Sequence, residues 1–162
     1  MKKTLFIILL LLFITSCKSK QKTTTYKRKN NTTIKVSKPN KIVQNAKHYL
    51  GTKYQYGGVT KKGMDCSGLV YTSFKKENIV LPRNSRAMAM QGKTIPLNKV
   101  KKGDLLFFIT GKKNRINHVG LVTNRKNKEI FFIHASTKKG VIVSSMQDKY
   151  YKNRFVKAKR IL

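Results

Sequence analysis

Hydrophobic positions change their spacing four times along the chain, and each change marks an element. Leu5 to Ile14 is an unbroken apolar run behind Lys2 and Lys3, too short to span a bilayer as a stable helix and patterned as an export signal. From Lys18 to Pro39 apolar residues are few among Lys, Thr, Asn and Ser, so this stretch buries too little to offset ordering and is expected to be a flexible tether. Ile42, Val43, Ala46, Tyr49 and Leu50 then recur at helical spacing, and Gly51 supplies a stop. A glycine-containing loop, Thr52 to Asp65, leads into a second helical segment, Cys66 to Glu77, with Leu69, Val70 and Phe74 on one face.

Beyond Pro82 the runs become short and of β type: Leu105 to Ile109, Ile116 to Thr123, Glu129 to Ala135, Val141 to Val143 and Arg154 to Ala158. Helices first and strands afterwards predict an α+β domain in which N-terminal helices pack on a small antiparallel sheet. The expected organisation is a signal over residues 1–16, a basic tether over 17–39 and one folded domain over 40–162. No internal repeat interrupts it.

The end of the apolar run refines the first segment. Ile14, Thr15, Ser16 and Cys17 resemble a bacterial lipobox, which implies that Cys17 is acylated and becomes the mature N-terminus, anchoring the protein to a membrane. Charge adds a broad signal, because 37 Lys plus Arg against 5 Asp plus Glu give a formal charge of +32. Inside a cell such a balance points to nucleic acid. For an exported chain it points instead to lipid headgroups and anionic wall polymers, unless it reflects only a lysine-rich composition.

Two cysteines are present, and lipidation of Cys17 leaves Cys66 without an intramolecular partner. A lone thiol in an exported protein is an inert buried group, a target for oxidation or a nucleophile. Cys66 opens a predicted helix, where free amides and the macrodipole favour the thiolate. The candidate bases are His48, His118 and His134. His48 lies within the first helical pattern and reads as a surface or packing residue.

His118 and His134 fall on two β-type runs joined by a polar turn, a hairpin signature. A three-residue loop of Arg125, Lys126 and Asn127 would set the histidines directly opposite each other, with Cβ atoms about 4.5–5.5 Å apart. An even-numbered loop would send them to opposite faces. An odd loop is therefore expected, with Asn127 in a left-handed conformation. Two readings of the trio follow: Cys66, His118 and His134 as zinc ligands, or as a thiol, its base and a group that orients the base.

The ordered motifs narrow the choice. Tyr54-Gln55-Tyr56-Gly57-Gly58, Asp65-Cys66-Ser67-Gly68, Leu81-Pro82-Arg83, Gly103-Asp104-Leu105, His118-Val119-Gly120 and His134-Ala135-Ser136 resemble the motifs of the NlpC family of papain-like bacterial cell-wall cysteine peptidases. The resemblance implies a papain-like single domain with Cys66 as nucleophile, His118 as base and His134 as the orienting third member. It further implies that Tyr54 helps hold a tetrahedral oxyanion, and that Asp65 and Ser67 hold the free amine of a stem peptide. Asp65 also fits a helix cap that Ser67 supports. Gly57, Gly58 and Gly68 suit backbone geometry.

The expected activity is hydrolysis of amide bonds in peptidoglycan stem peptides through a thioester, at a D-glutamyl-diamino acid bond or at a crosslink. Neither a cofactor nor a metal is expected, and no nucleic-acid partner. The protein is expected to be a monomer held by its lipid, facing the periplasm from an outer membrane or else outside a plasma membrane. Lys53 and Tyr56 depart from the family's frequent proline and tryptophan. Two alternatives use the same residues: an acyltransferase or amidase acting on another amide or on lipid, and a non-catalytic wall-binding lipoprotein.

Overall fold

Ile42, Val43 and Ala46 lie buried along one face of helix α1 (Lys38–Lys47) in a computed structural model that describes residues 36–162. The expected export signal, Cys17 and most of the expected tether lie outside the described residues. The helix starts two residues before the expected domain boundary, because Ser37 takes the cap position and Pro39 sits in the first turn, where a missing N–H leaves nothing unsatisfied. Beyond it Gly51, with φ of 78°, turns the chain, and Thr52 accepts a hydrogen bond from the Val141 amide.

The glycine loop is more structured than its composition suggests. Strands β1 (Val59–Thr60) and β2 (Gly63–Met64) form a short antiparallel ribbon, and Tyr54 bridges to Met64. Helix α2 (Cys66–Lys75) follows immediately, ending two residues before the expected stop. A Cβ at Gly68 would stand 2.1 Å from the Gly58 carbonyl, so a glycine is what lets the first turn of α2 press against the loop. A one-turn helix α3 (Ser85–Met88) is capped by Asn84.

The main sheet has six strands in the order β3-β8-β4-β5-β6-β7, and every pairing is antiparallel. Its members are β3 (Lys93–Ile95), β4 (Leu105–Phe108), β5 (His118–Lys126), β6 (Glu129–Ser136), β7 (Gly140–Ser145) and β8 (Phe155–Arg160). A four-residue helix α4 (Lys149–Lys152) connects the last two. The expected α+β arrangement is the one observed, with α1 and α2 on one face. There Leu69, Val70 and Phe74 meet Leu105, Phe107, Val119 and Leu121. Leu106, Phe108, Val122, Phe132 and Ala158 form a second core on the other face. β4 is therefore buried on both sides, which explains its unbroken Leu-Leu-Phe-Phe run. Each such side chain contributes about 1.5–3 kcal/mol when fully buried.

The β5–β6 hairpin corrects the expected register. Lys126 pairs with Glu129, so the turn contains two residues, Asn127 and Lys128, rather than three. Asn127 does adopt the expected left-handed conformation, with φ of 56°. By itself this even loop would separate the two histidines. A bulge intervenes: Asn124 pairs with Phe131 but Val122 with Phe132, leaving Thr123 as the extra residue. Its buried hydroxyl donates to the Phe131 carbonyl at 3.2 Å. The inserted residue restores the parity that the turn lost, and the Leu121–Ile133 register continued along the strands sets His118 diagonal to His134 on one face.

Candidate active site

Cys66 is the first residue of α2, and Asp65 is its N-cap. The amides of Cys66 and Ser67 precede the first intrahelical hydrogen bond, in which Leu69 donates to the Asp65 carbonyl, so both remain available as donors at the helix mouth. The thiol is 8% exposed and its sulfur lies 3.9 Å from the Asn117 carbonyl. Burial pushes the thiol up to about 11, against the opposing effect of the backbone amides of Val119, Ser67 and Cys66 that face the sulfur. The helix terminus alone favours the thiolate, as expected from sequence, but such a dipole contributes only about 0.3–2 kcal/mol. Here burial outweighs the helix terminus and favours the thiol.

The residues on either side of His118 in the chain, Asn117 and Val119, are those that touch the sulfur through their backbones. No hydrogen bond joins the thiol to the His118 ring among the described residues. His118 does meet His134: Nε2 of the first lies 3.0 Å from Nδ1 of the second, with the rings edge to face at 83°. A Cβ at Gly120, the residue opposite His134 in the register, would stand 2.4 Å from the Phe132 ring, so the bare glycine admits the ring that packs beside His134. Burial lowers His118 to about 4. Burial and then the neighbouring His118 lower His134 to about 3. Both rings are neutral near pH 7, as a base must be to accept a proton. Because two of their four nitrogens face each other, the rings are arranged for proton transfer rather than for converging on a common ligand.

Asp65 and Ser67 are joined to Arg83 in a tight network. Gly57, Gly68, Ser67 and both terminal nitrogens of Arg83 donate to the Asp65 carboxylate at 2.6–3.1 Å. Five donors exceed the roughly four lone pairs a carboxylate offers. Ser67 Oγ in turn accepts from Arg83 at 2.9 Å. Burial alone would raise the Asp65 carboxyl, but the Arg83 and backbone hydrogen bonds hold it below the usual carboxylate range. The expected cap is thus present in full, and both groups expected to hold a substrate amine are bonded internally.

Tyr54, half-buried, stands across the mouth of α2. Burial raises its hydroxyl, and so does its proximity to Cys66 and Asp65. A cleft of about 790 Å³ runs past Tyr54, Cys66 and Ser67 and is bordered by Arg83, Arg86 and Arg115. His118 and His134 line a smaller cavity of about 230 Å³. His48, by contrast, lies exposed at the end of α1, as a surface residue should.

These residues sit in a chain whose residues 51–160 match the NlpC/P60 family. The chain belongs to that family. It is 36% identical over 133 residues to the murein DD-endopeptidase MepS/murein LD-carboxypeptidase of Escherichia coli K12, covering 82% of this chain and 68% of the relative. It is 40% identical over 112 residues to the probable endopeptidase NlpC of the same organism, covering 68% of this chain and 70% of that one. Among solved structures, an NlpC/P60 family protein from Bacillus cereus superposes with a TM-score of 0.69 at 27% identity, over 76% of this chain and 40% of that chain.

Within this NlpC/P60 domain three contacts were not foreseen. Arg83 belongs to the Leu81-Pro82-Arg83 motif, but nothing in its spacing reveals the two hydrogen bonds it donates to Asp65. Ser144 and Tyr151 carry no motif at all, yet His134 Nε2 lies 3.0 Å from Ser144 Oγ and 3.1 Å from Tyr151 Oη. The only available signal was alternation on β7, which sets Ser144 on the same side of the sheet as the histidines through the His134–Ile142 and Phe132–Ser144 pairings. Tyr151 lies on α4, beyond the reach of strand alternation.

Proposed function

We propose that this NlpC/P60 domain is a murein endopeptidase that cleaves stem-peptide amides with Cys66 as nucleophile and His118 as base. The observation that carries the reading is the pairing of His118 with His134 beside a thiol seated at a helix N-terminus. The reaction starts from the neutral pair. His118 Nδ1, the nitrogen not facing His134, takes the thiol proton as sulfur attacks the amide carbonyl. The resulting oxyanion lies at the head of α2, where the amides of Cys66 and Ser67 and the Tyr54 hydroxyl are the donors. His118 then passes its proton to the departing amine, leaving a thioester. Water, deprotonated by the same imidazole, hydrolyses the thioester to a carboxylate and restores the thiol.

Asp65 and Ser67 line the cleft with Arg83 bonded to both, and Ser67 Oγ, which donates once and accepts once, keeps one acceptor position for a substrate amine. The cleft also has no spare carboxylate of its own. The chain has five acids: Asp104 is paired with Arg160, Glu77 with Asn45, Glu129 with Ser145, and Asp148 caps α4. Arg86 and Arg115 on the rim instead suit the carboxylates that stem peptides carry. We place the protein outside the cytoplasm, as a wall substrate requires, and extend the proposal to acylation of Cys17 and to action as a monomer.

Purified crosslinked dimers and tetrapeptide monomers of muropeptide, digested by the protein and by Cys66→Ser, provide the test, read by mass spectrometry. Loss of dimers with wild type alone establishes a crosslink endopeptidase. Release of a dipeptide fragment moves the cut to the D-glutamyl bond, and no product from either substrate rejects the peptidase reading.

A further inference from the structure

The two halves of a cleaved amide leave the catalytic residues in different directions, and the walls they meet differ. The acyl half stays on the Cys66 sulfur, in the cleft that Tyr54, Ser67, Arg86 and Arg115 border. The amine half departs from His118, because that ring supplies its proton as the carbon–nitrogen bond breaks. His118 lines a second cavity of about 230 Å³, with Thr110, Ser136, Thr137 and Lys138 among its walls. That is below the roughly 300–1,000 Å³ of sites for drug-sized ligands, a size for one amino-acid residue rather than a length of peptide.

Lys138 lies in the turn between β6 and β7, which the Lys139 amide helps to close by donating to Ser136 Oγ at 3.3 Å. It also lines an adjoining cavity with Lys53, Lys139 and Tyr54. The two cavities thus share Lys138 and flank the catalytic residues, one reaching His118 and the other Tyr54. No carboxylate lines either of them. Among the described residues the two ion pairs belong to Arg83 and Arg160, so the exposed Lys138 ammonium is left for the departing half of the substrate.

We propose that Lys138 is a specificity-determining residue that reads a carboxylate on the carbon bearing the leaving amine. The inference rests on the peptidase reading and deepens it by naming the bond. A crosslink through a diamino acid with two carboxyls meets the requirement, because the second carboxyl is free beside the bonded amine. So does the last amide of a tetrapeptide, whose departing residue ends in a carboxylate. The D-glutamyl bond of a tetrapeptide fails, since the carboxyl next to that amine is tied up in the following amide. A crosslink through the lysine side chain fails as well, since its amine sits on a bare methylene.

Crosslinked muropeptide dimers with that carboxyl free, and the same dimers with it converted to a carboxamide, are the matched substrates, read by mass spectrometry beside tetrapeptide monomers. The wild-type protein is expected to cleave the carboxylate dimer with about fivefold higher kcat/KM, the upper range for an ion pair that water reaches. Lys138→Met should bring the two dimers within about twofold of each other, and Lys138→Arg should keep the preference. Lys128→Met, which removes an equal charge at the far end of the β5–β6 hairpin from His118, should keep it too. Monomers should lose their terminal amino acid. Equal cleavage of both dimers by wild type overturns the proposal, as does a preference that survives in Lys138→Met or falls as much in Lys128→Met. Release of a dipeptide from monomers ahead of the terminal residue overturns it while leaving the peptidase reading intact. A wild-type protein that cleaves none of the three substrates overturns that reading, and the proposal with it.

Discussion

The thiol and the imidazoles occupy opposite kinds of environment within one site. Around Cys66 the structure is polar and ionic: a capped helix, a carboxylate with five donors and an arginine that ties the cap to the glycine loop. Around His118 and His134 it is aromatic, with Phe108, Phe132 and Tyr151 packed on the rings. Both environments nevertheless favour the uncharged form, pushing the thiol up and the imidazoles down. What this teaches is that neither environment by itself stabilises charge on the group it holds. Ionic bonding on one side sets where the sulfur points, and packing on the other sets how the base is oriented.

The comparison breaks most completely at the nucleophile. Cys66→Ser is expected to remove hydrolysis, by at least about 10³-fold in kcat as for other covalent nucleophiles, with an unchanged circular dichroism spectrum. His118→Ala should cost about 10²–10⁴-fold in kcat, the range of a general base, in the same muropeptide assay. Tyr54→Phe removes one oxyanion donor and should slow turnover about 10²-fold without abolishing it; an unchanged rate would take Tyr54 out of the chemistry.

Stability separates the two sides further. Phe132→Ala empties the packing beside His134 and should cost about 3–5 kcal/mol in urea unfolding. Arg83→Met leaves Asp65 buried with only the Gly57 and Gly68 amides and the Ser67 hydroxyl as donors, and should cost about 2 kcal/mol, less than a fully buried pair because the arginine side chain is 36% exposed. The histidine pair also gives stability a pH dependence. Both histidines have folded pKa values below the usual imidazole value of about 6.5, so between those values the unfolded chain binds more protons and stability rises with pH. Their contribution should be complete above about pH 7 and lost as pH falls toward 4 and 3, and thermal unfolding from pH 7 down to 3.5 measures it. Activity should fall over the lower part of that range, as His118 protonates.

Much of this architecture was legible before any coordinates. Helical spacing placed α1 and α2, β-type runs placed five of the six main strands, and motif order brought Cys66, His118 and His134 into one reading. The strand that escaped, β3 at Lys93–Ile95, buries only Ile95, so it has no hydrophobic alternation to show. The loop ribbon escaped for the same reason of length. The hairpin escaped differently. Asn127 marked a turn, but nothing local to Thr123 announces an extra residue, because a bulge is chosen by which face must be buried on both sides of it.

The sequence by itself determined which chemistry this protein carries: local patterns select helix, turn and strand, and ordered motifs name the thiol and its histidines. Tertiary structure decided the protonation states, the occupation of Asp65 and the company of His134. Those depend on residues far apart in the chain, Arg83 beside Asp65 and Tyr151 beside His134. Burial and hydrogen bonding are properties of the packed neighbourhood, and no local spacing encodes them.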